Sequence, residues 1–197
     1  MALRISMSSE NLSFLRQSLI DAPIIWKDGY PYFVHPITDG VPRLPAEVLT
    51  EIIEDVNTRI DWSNIDVLLG IEAMGLPLTA PLSMATGIPF AVIRKRPYGM
   101  EGEIKIEQKT GYSKASMYIN DVYEGEKVAI FDDVISTGGT LFAILEGLIA
   151  ANVTVSEVIT VVEKGTGMRM LQENFPDIHF QSLLQVEMVD GNVHILN

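Results

Sequence analysis

VAIFDDVISTGGTL, residues 128–141, carries the clearest structural pattern in the chain. Its apolar beginning predicts a buried strand over 127–133 that ends in two acids. A turn of small and hydroxyl residues follows at 134–140, and 141–151 has the composition of a helix. A second apolar strand is predicted over 154–164. Because the strands are apolar throughout and alternate with a helix, they indicate an α/β fold with a parallel sheet covered on both faces.

The rest of the chain extends this alternation. Pro45 opens a pattern with helical spacing over 45–60. The segment 95–115 is punctuated by glycines and basic residues, so we expect a mobile loop or an irregular hairpin there. No linker or repeat divides the 197 residues, which fit one domain, 1–197. Further helices are predicted over 9–20 and 77–87, and further strands over 23–27, 31–35, 65–70, 88–94, 180–189 and 192–196.

Composition excludes several classes of protein. The chain has no cysteine, which excludes a disulfide scaffold and any Cys-ligated zinc or iron–sulfur site. Its net charge of −12 argues against a general nucleic-acid binder, which would present a basic face. The longest uncharged stretch, 73–93, contains three prolines that a membrane helix would tolerate poorly. We see no targeting segment, and we expect a cytoplasmic protein with neither a nucleic-acid nor a membrane partner.

Basic residues are unevenly distributed. Six of the 14 lysines and arginines fall within the 21 positions of 94–114, in a chain that is otherwise strongly acidic. A solvated loop would explain this cluster, and so would a site for a polyanion such as a diphosphate or triphosphate. The six residues are Arg94, Lys95, Arg96, Lys105, Lys109 and Lys114.

The segment after the strand at 127–133 has the chemistry of a phosphate site. Parallel sheets bind ligands beyond the carboxyl ends of their strands. Glycines there let backbone N–H groups approach an anion, and a helix N-terminus adds positive potential. Asp132 and Asp133 suit sugar hydroxyls or a magnesium ion instead. Together these groups describe a site for a ribose 5-phosphate, with a phosphate turn made of Ser136, Thr137, Gly138, Gly139 and Thr140.

Three other interpretations of this segment can be compared with the sequence. A nucleotide-binding P-loop requires lysine after its last glycine, but Thr140 follows Gly139. A dinucleotide fingerprint would need a third glycine after Gly165 and Gly167, and a clear βαβ unit. An Asp-rich turn that only caps a helix leaves the combination of two acids with STGGT unexplained.

The sequence resembles a known family over nearly its whole length. VAIFDDVISTGGTL looks like the phosphoribosyl pyrophosphate (PRPP) motif of type I phosphoribosyltransferases. GIEAMGLPLTAPLSMATGIPFAVIRKR (70–96) resembles the pyrophosphate-loop region of adenine phosphoribosyltransferases, and FQSLLQVE (180–187) resembles their C-terminal strand. YFVHPITDGVP (32–42) and GYSKASMYIN (111–120) are most similar to archaeal hypoxanthine/guanine phosphoribosyltransferases.

The resemblance implies the type I phosphoribosyltransferase fold, a twisted parallel sheet flanked by helices. It also implies a small hood formed by the N- and C-terminal segments, here about 22–43 and 164–197. The segment 95–115 would be a flexible lid that excludes water during the reaction. Family members are commonly dimers in which neighbouring subunits complete the site, so we expect a homodimer.

The same resemblance assigns the PRPP contacts. Asp132 and Asp133 would bind the ribose hydroxyls together with a Mg²⁺ cofactor, and the phosphate turn would bind the 5-phosphate. Adenine-type relatives often have arginine where this chain has Met74, so Arg94 and Lys95 would carry more of the diphosphate charge. The pyrophosphate loop, which in relatives often contains a non-proline cis peptide, would comprise Glu72, Ala73, Met74 and Gly75.

The resemblance also bears on the base: 6-oxopurine enzymes often have lysine where this chain has Lys164, and adenine-type relatives usually have an apolar residue there. Lysine offers three donors and no acceptor, so it matches O6 of hypoxanthine, guanine or xanthine and opposes the 6-amino group of adenine. A surface lysine at a strand end is the alternative interpretation. Relatives place the wall of the purine pocket where this chain has Phe33, Val34 and His35, although His35 can equally be a turn histidine.

Both carboxylates that usually act as catalytic base are absent. Adenine-type relatives have glutamate before a lid tyrosine, where Gly111 precedes Tyr112, and common hypoxanthine/guanine enzymes have aspartate where this chain has Ser136. Glu107 is the nearby substitute, with a solvated lid carboxylate as its alternative role. Glu107 and Tyr112 are therefore catalytic candidates without a firm assignment.

The resemblance implies an enzyme of purine salvage that makes IMP or GMP from PRPP and hypoxanthine or guanine. Adenine or xanthine as the base is an alternative within the same class. A non-catalytic regulator that senses PRPP or a purine is another, which the absent carboxylates keep open. Such regulators carry an N-terminal helix-turn-helix, for which the roughly 22 residues before the first predicted strand are too few.

Overall fold

A six-stranded β-sheet forms the centre of the molecule. The computed structural model describes residues 12–27, 29–109 and 114–197. Within these residues the helices α1 to α6 span Ser13–Ile20, Pro36–Asp39, Ala46–Arg59, Leu76–Thr86, Gly139–Ala150 and Gly167–Asn174. The strands β1 to β10 span Ile24–Lys27, Tyr30–Phe33, Val67–Ile71, Phe90–Ile93, Ile104–Lys109, Lys114–Ile119, Lys127–Ile135, Thr154–Lys164, His179–Val189 and Asn192–Ile195.

The strand order of the central sheet is β10-β9-β8-β7-β3-β4. All neighbours are parallel except β10, which runs antiparallel to β9. β3 is buried along its whole length, and β7 is buried from its second to its seventh residue. Strands that are apolar without alternation are typical of a sheet covered on both faces. The predicted α/β class with a mainly parallel sheet is therefore confirmed.

Two hydrophobic clusters cover the two faces of this sheet. One contains Leu15 of α1, Ile52 of α3 and Leu82 of α4. The other contains Leu145 of α5 and Leu171 of α6. Because each helix buries one apolar stripe against the strands, the helices form the two outer layers. None of the helices in the described residues is both long enough and apolar enough to span a bilayer.

The segments predicted to form a hood lie together at the β10 edge of the sheet. β1 and β2 form a separate antiparallel pair, and β2 contacts β10. α1 packs against α3 and β10. β9 and β10 are hydrogen-bonded into the central sheet, so the C-terminal strands extend that sheet and do not form a separate layer. The N-terminal pair is thereby placed beside the last strand of the chain.

The lid segment contains a regular hairpin, where the sequence suggested a loop or an irregular one. β5 and β6 pair antiparallel in full register, and β6 also bridges Arg94 through Tyr118. Ile106 of β5 is buried against α5, where a Cβ on Gly147 would lie 2.7 Å from its side chain. Glycine therefore permits the close approach that anchors the hairpin. The tip, with Tyr112, lies outside the described residues.

Candidate active site

The turn between β7 and α5 borders a cavity of about 170 Å³. β7 ends at Ile135 and α5 begins at Gly139. Gly138 precedes the helix with φ +77°, a region that favours glycine. Free N–H groups at a helix N-terminus and nearby hydroxyls can bind an anion. The cavity is lined by Asp132, Val134, Ile135, Leu141 and all five residues of the predicted phosphate turn: Ser136, Thr137, Gly138, Gly139 and Thr140.

Gly167, at the start of α6, supports this turn by direct backbone contact. Its N–H donates to the carbonyl of Ser136 at 2.8 Å. A Cβ on Gly167 would lie 2.5 Å from the same oxygen and from the backbone nitrogen of Gly138. Only glycine permits this approach. In the sequence Gly167 stands out only as part of an incomplete dinucleotide motif, although two glycines shortly after β8 also indicate close packing.

Asp132 and Asp133 lie inside β7 and not at its end, because the strand continues to Ile135. Each is 9% exposed, and the N–H of Asp133 donates to Oδ1 of Asp132 at 3.0 Å. Burial raises the pKa of Asp132 well above its usual value, and burial also raises the pKa of Asp133. A ligand that donates hydrogen bonds or carries positive charge would stabilise these carboxylates.

A magnesium ion fits the chemistry of this acid pair. Carboxylate oxygens are hard ligands of the kind that Mg²⁺ prefers, usually with oxygens of a bound phosphate. In the part of the chain that the structure describes, no group of three or more His, Asp or Glu side chains could hold a metal. Asp132 and Asp133 could therefore hold the ion only together with oxygens of a ligand or water.

The predicted pyrophosphate loop, 72–75, packs directly against β7. The peptide bond between Glu72 and Ala73 is cis, as the resemblance implied. A Cβ on Gly75 would lie 2.4 Å from the carbonyl oxygen of Phe131, the residue before the acid pair. The carboxylate of Glu72 accepts from the N–H of Lys95 at 3.2 Å. The loop and Lys95 are thus brought to the same end of the sheet as Asp132.

The side chain of Arg94 is directed toward Tyr98. Its Cζ lies 4.7 Å from the ring centroid of Tyr98. Arg94 lines a separate cavity of about 320 Å³ beside the edge strand β4, where it meets Phe90, Tyr98 and Met100. The bond to Glu72 is made by the backbone N–H of Lys95, and diphosphate contacts of Arg94 and Lys95 both stay predictions. The direction of a side chain at a strand end depends on tertiary contacts that the motif does not encode.

Lys164 and the N-terminal pair of strands meet at this end of the sheet as well. Lys164 follows Glu163, which pairs in register with Ile135 of β7. The Nζ of Lys164 lies 5.8 Å from the ring centroid of Phe33. Phe33 is 4% exposed and belongs to the core, and the N–H of Val34 donates to the carbonyl of Pro23. The structure thus brings Lys164 and Phe33 together, and their contact with a purine stays a prediction.

Both ring nitrogens of His35, which precedes α2, form hydrogen bonds within the protein. Nδ1 accepts from the N–H of Ile37 at 3.2 Å, so the ring proton is on Nε2, 2.9 Å from the hydroxyl of Ser18. The hydroxyl of Ser18 in turn donates to the carbonyl of Leu15. Burial lowers the pKa of His35 to about 4. These contacts favour the turn histidine over a side chain that faces a purine.

Comparison with known proteins places this geometry in a family. A model described as "Phosphoribosyl transferase domain" matches residues 43–185. The chain belongs to the phosphoribosyltransferase family. The hypoxanthine/guanine phosphoribosyltransferase of Methanobacterium lacus is 46% identical over 181 residues, which cover 92% of this chain and 94% of that protein. The protein of the same name from Methanocaldococcus infernus is 45% identical over 181 residues, which cover 92% and 98%.

A third relative and two solved structures are also similar to this chain. The HGPRTase-like protein of Halobacterium salinarum is 45% identical over 183 residues, which cover 93% of this chain and 96% of that protein. Adenine phosphoribosyltransferase from Leishmania tarentolae matches with a TM-score of 0.72 at 21% identity, covering 91% of this chain and 89% of that one. The enzyme from Trypanosoma brucei gives 0.73 at 22% identity, with 92% and 82% covered. The structural likeness shows the shared phosphoribosyltransferase fold.

Sequence reasoning missed the pair Tyr32 and Asp39, which lies near Lys164 and the acid pair. The hydroxyl of Tyr32 donates to Oδ1 of Asp39 at 2.9 Å. Beyond its main cause, burial, the pKa of Asp133 is raised in part by the charge of Asp39. A Cβ on Gly40 would lie 3.5 Å from the sulfur of Met74, so this segment reaches the pyrophosphate loop. Asp39 is the last residue of the short helix α2. The sequence pattern does not indicate that its carboxylate accepts from Tyr32.

The two catalytic candidates of the lid stay predictions. Glu107 is on β5, and its carboxylate is paired with the Nζ of Lys105 at 2.6 Å on an exposed surface. Tyr112 lies outside the described residues. The paired, exposed carboxylate fits the alternative of a solvated lid residue better than it fits a general base, which would need contact with the purine.

Proposed function

We propose that this phosphoribosyltransferase acts in purine salvage and transfers the 5-phosphoribosyl group of PRPP to hypoxanthine, guanine or both. The products are IMP or GMP and pyrophosphate. One observation carries the proposal: the Nζ of Lys164 lies 5.8 Å from the ring of Phe33, at the sheet end that also bears the acid pair and the phosphate turn. The relatives at about 45% identity that are named hypoxanthine/guanine phosphoribosyltransferase support the same choice.

PRPP would bind along the carboxyl ends of β7 and β3. The N–H groups and hydroxyls of the phosphate turn bind the 5-phosphate, because the turn opens the N-terminus of α5 toward its cavity. Asp132 and Asp133 accept hydrogen bonds from the ribose hydroxyls, and these bonds offset the burial of their charges. The loop 72–75 and Lys95 would bind the diphosphate; the hydrogen bond from the backbone N–H of Lys95 to the carboxylate of Glu72 supports this.

The choice of base follows from the donors at the end of β8. Lys164 has only donors to offer, and O6 of hypoxanthine or guanine is an acceptor. Adenine presents an amino group at the same position, which would leave two donors opposed. Because buried polar groups without partners are strongly destabilising, a site of this kind rejects the wrong base well.

The reaction displaces pyrophosphate from C1′ of the ribose by a ring nitrogen of the purine. Magnesium, when bound with PRPP at Asp132 and Asp133, would supply positive charge for the leaving diphosphate. Lys95 and the N–H groups of the loop add to this stabilisation from the protein side. We propose that the hairpin β5–β6 closes over the site and excludes water, which would otherwise hydrolyse PRPP.

A homodimer in the cytoplasm completes the proposal. Phe90, Tyr98 and Met100 are 43%, 54% and 57% exposed and surround the cavity beside the edge strand β4. Exposed apolar side chains grouped at a sheet edge are typical of an association surface. Sedimentation velocity tests this surface: the double variant Tyr98→Glu/Met100→Glu should sediment as a monomer, and wild type as a dimer.

The cytoplasm is proposed because PRPP and free purine bases are intracellular metabolites.

The test of the enzymatic proposal is pyrophosphate release with PRPP and Mg²⁺, with hypoxanthine, guanine, xanthine and adenine offered separately. We expect turnover with hypoxanthine or guanine and little with adenine. Turnover with adenine alone would refute the base assignment and leave the PRPP site standing. PRPP binding without turnover of any purine would support the non-catalytic sensor instead.

A further inference from the structure

Tyr32 and Asp39 form a fixed pair beside Lys164 that the reaction described above does not use. The Nζ of Lys164 lies 6.0 Å from the ring centroid of Tyr32. The ring stacks on that of Phe33, with centroids 6.1 Å apart and planes 12° from parallel. The hydroxyl of Tyr32 is held by the carboxylate of Asp39 at 2.9 Å. Both the ring and the hydroxyl are therefore fixed in position.

Asp39 is itself held by its own segment. Its second carboxylate oxygen, Oδ2, accepts from the N–H of His35 at 3.1 Å and from the hydroxyl of Thr38 at 2.7 Å. An ionised carboxylate can only accept hydrogen bonds, so the proton of the Tyr32 hydroxyl is committed to Oδ1. The direction of this hydrogen bond is thus determined by the charge of Asp39.

The hydroxyl of Tyr32 consequently offers a ligand lone pairs and no donor. Burial, and then the hydrogen bond to Asp39, raise the pKa of Tyr32 to about 12, so the hydroxyl keeps its proton at neutral pH. The charge of Asp133 contributes to the same rise of the Tyr32 pKa, so Tyr32 lies close enough to the acid pair to interact electrostatically with it. Lys164, by contrast, offers donors only. An acceptor and a donor are therefore brought to one corner of the site.

This pairing is complementary to one edge of a 6-oxopurine. Hypoxanthine, guanine and xanthine present O6 as an acceptor next to N1–H as a donor. Adenine presents the reverse, an amino donor at C6 next to N1 as an acceptor. Resting on the function proposed above, we propose that Tyr32 is a specificity-determining residue whose hydroxyl oxygen accepts from purine N1–H while Lys164 donates to O6. Asp39 is the positioning residue that fixes the direction of the Tyr32 hydroxyl.

Tyr32→Phe tests the acceptor with the smallest change of shape. At saturating PRPP, kcat/KM for hypoxanthine should fall roughly 10- to 100-fold, because N1–H loses its partner. The value for adenine should stay the same or rise, so the hypoxanthine-to-adenine ratio should fall by a similar factor. Tyr123→Phe is the matched control, since the hydroxyl of Tyr123 also donates to an aspartate, Asp121, at 2.8 Å. Tyr123 precedes β7 at the opposite end of the sheet, so its variant should leave the ratio unchanged.

Asp39→Asn tests the direction of the hydrogen bond. An asparagine amide can donate to the Tyr32 oxygen while its carbonyl accepts from His35 and Thr38. The Tyr32 hydroxyl would then be able to donate to N1 of adenine. We expect adenine to gain relative to hypoxanthine by roughly tenfold. A melting curve for each variant checks that the fold is kept.

The outcomes separate this inference from the function on which it rests. A wild-type enzyme that prefers adenine overturns both. A wild-type enzyme that prefers 6-oxopurines, with a base ratio unchanged in Tyr32→Phe and Asp39→Asn, overturns the role of Tyr32 alone. Equal losses for both bases would indicate a structural role for Tyr32 and would also overturn it.

Discussion

Gly167 donates a hydrogen bond of 2.8 Å to the carbonyl of Ser136, and a side chain on Gly167 would begin 2.5 Å from the same oxygen. The start of α6 therefore lies in direct backbone contact with the turn that we assign to the 5-phosphate. The turn depends on a residue about 30 positions later in the chain.

Gly167→Ala should displace the phosphate turn. The added Cβ would overlap backbone atoms of Ser136 and Gly138, which cannot rotate away as a flexible side chain would. We expect kcat/KM for PRPP to fall roughly 10- to 100-fold, since small misplacements of binding groups have effects of this size. Steady-state kinetics with PRPP varied checks this. Gly87→Ala is the control, because no atom lies within 4 Å of the new Cβ, although the φ of Gly87, +74°, is in the region that favours glycine and that of Gly167 is not. It should lower stability by about 1 kcal/mol and leave the KM for PRPP unchanged.

Lys164→Met should remove the donor that matches O6 while keeping the length of the side chain. We expect kcat/KM for hypoxanthine to fall roughly 100-fold with little change in the KM for PRPP. Lys127→Met is the control, because Lys127 begins β7 at the far end of the sheet from the candidate site. An equal loss in both variants would contradict the role given to Lys164.

Asp132→Asn and Asp133→Asn should separate activity from stability. Burial raises the pKa of both side chains, which means that the folded state disfavours their charged forms. Neutral asparagine should therefore keep or raise the melting temperature while PRPP binding weakens at least tenfold. Calorimetric titration with PRPP and thermal unfolding measure the two effects. Asp177→Asn, at an exposed position, should change neither. Lower melting temperatures for Asp132→Asn and Asp133→Asn than for wild type would contradict the inference that the folded state disfavours these two charges.

His35 should make the protein less stable in mild acid. Its pKa is lowered from 6.5 to about 4 in the fold, so folded His35 is neutral where an unfolded chain would bind a proton. Stability from this group is complete above pH 6.5 and is lost as the pH falls toward 4, by about 3 kcal/mol at pH 4. Denaturant unfolding between pH 7 and 4 measures this loss.

The variant His35→Asn isolates that contribution. Asparagine can still accept from the N–H of Ile37 and cap α2, but it does not titrate. The variant should be less stable than wild type at pH 7 and should lose less stability on acidification. His194→Asn, at an exposed position, should keep the wild-type pH dependence. An identical pH dependence in His35→Asn and wild type would show that His35 is not the group responsible.

Local patterns were enough to predict most of the fold. The apolar runs of β7 and β8, and the helix after Pro45, follow from hydrophobic spacing over neighbouring residues. The turn 136–140 could also be predicted from the sequence, because its residues are consecutive in the chain and all line one cavity. Properties that depend only on nearby positions in the chain are thus the ones that a sequence reveals.

The remaining features depend on residues that meet only in the folded chain. The side chain of Arg94 packs on Tyr98 at the sheet edge, and the ring of His35 is hydrogen-bonded to Ser18 of α1. The bond between Tyr32 and Asp39 requires a short helix to bring the two together. A motif gives the identity of such side chains but not the direction in which packing turns them. The arrangement of the turn 136–140 could therefore be predicted more completely than that of the segment around Tyr32 and His35.

Helix α5 contacts both the cavity beside the phosphate turn and the hairpin β5–β6. Its first turn faces the phosphate cavity, and two turns later Gly147 receives Ile106 from the hairpin. Ile106 of the hairpin is therefore packed against the same helix whose first turn lines the cavity proposed for the 5-phosphate. The proposed lid and the proposed phosphate site thus share α5 as a common support.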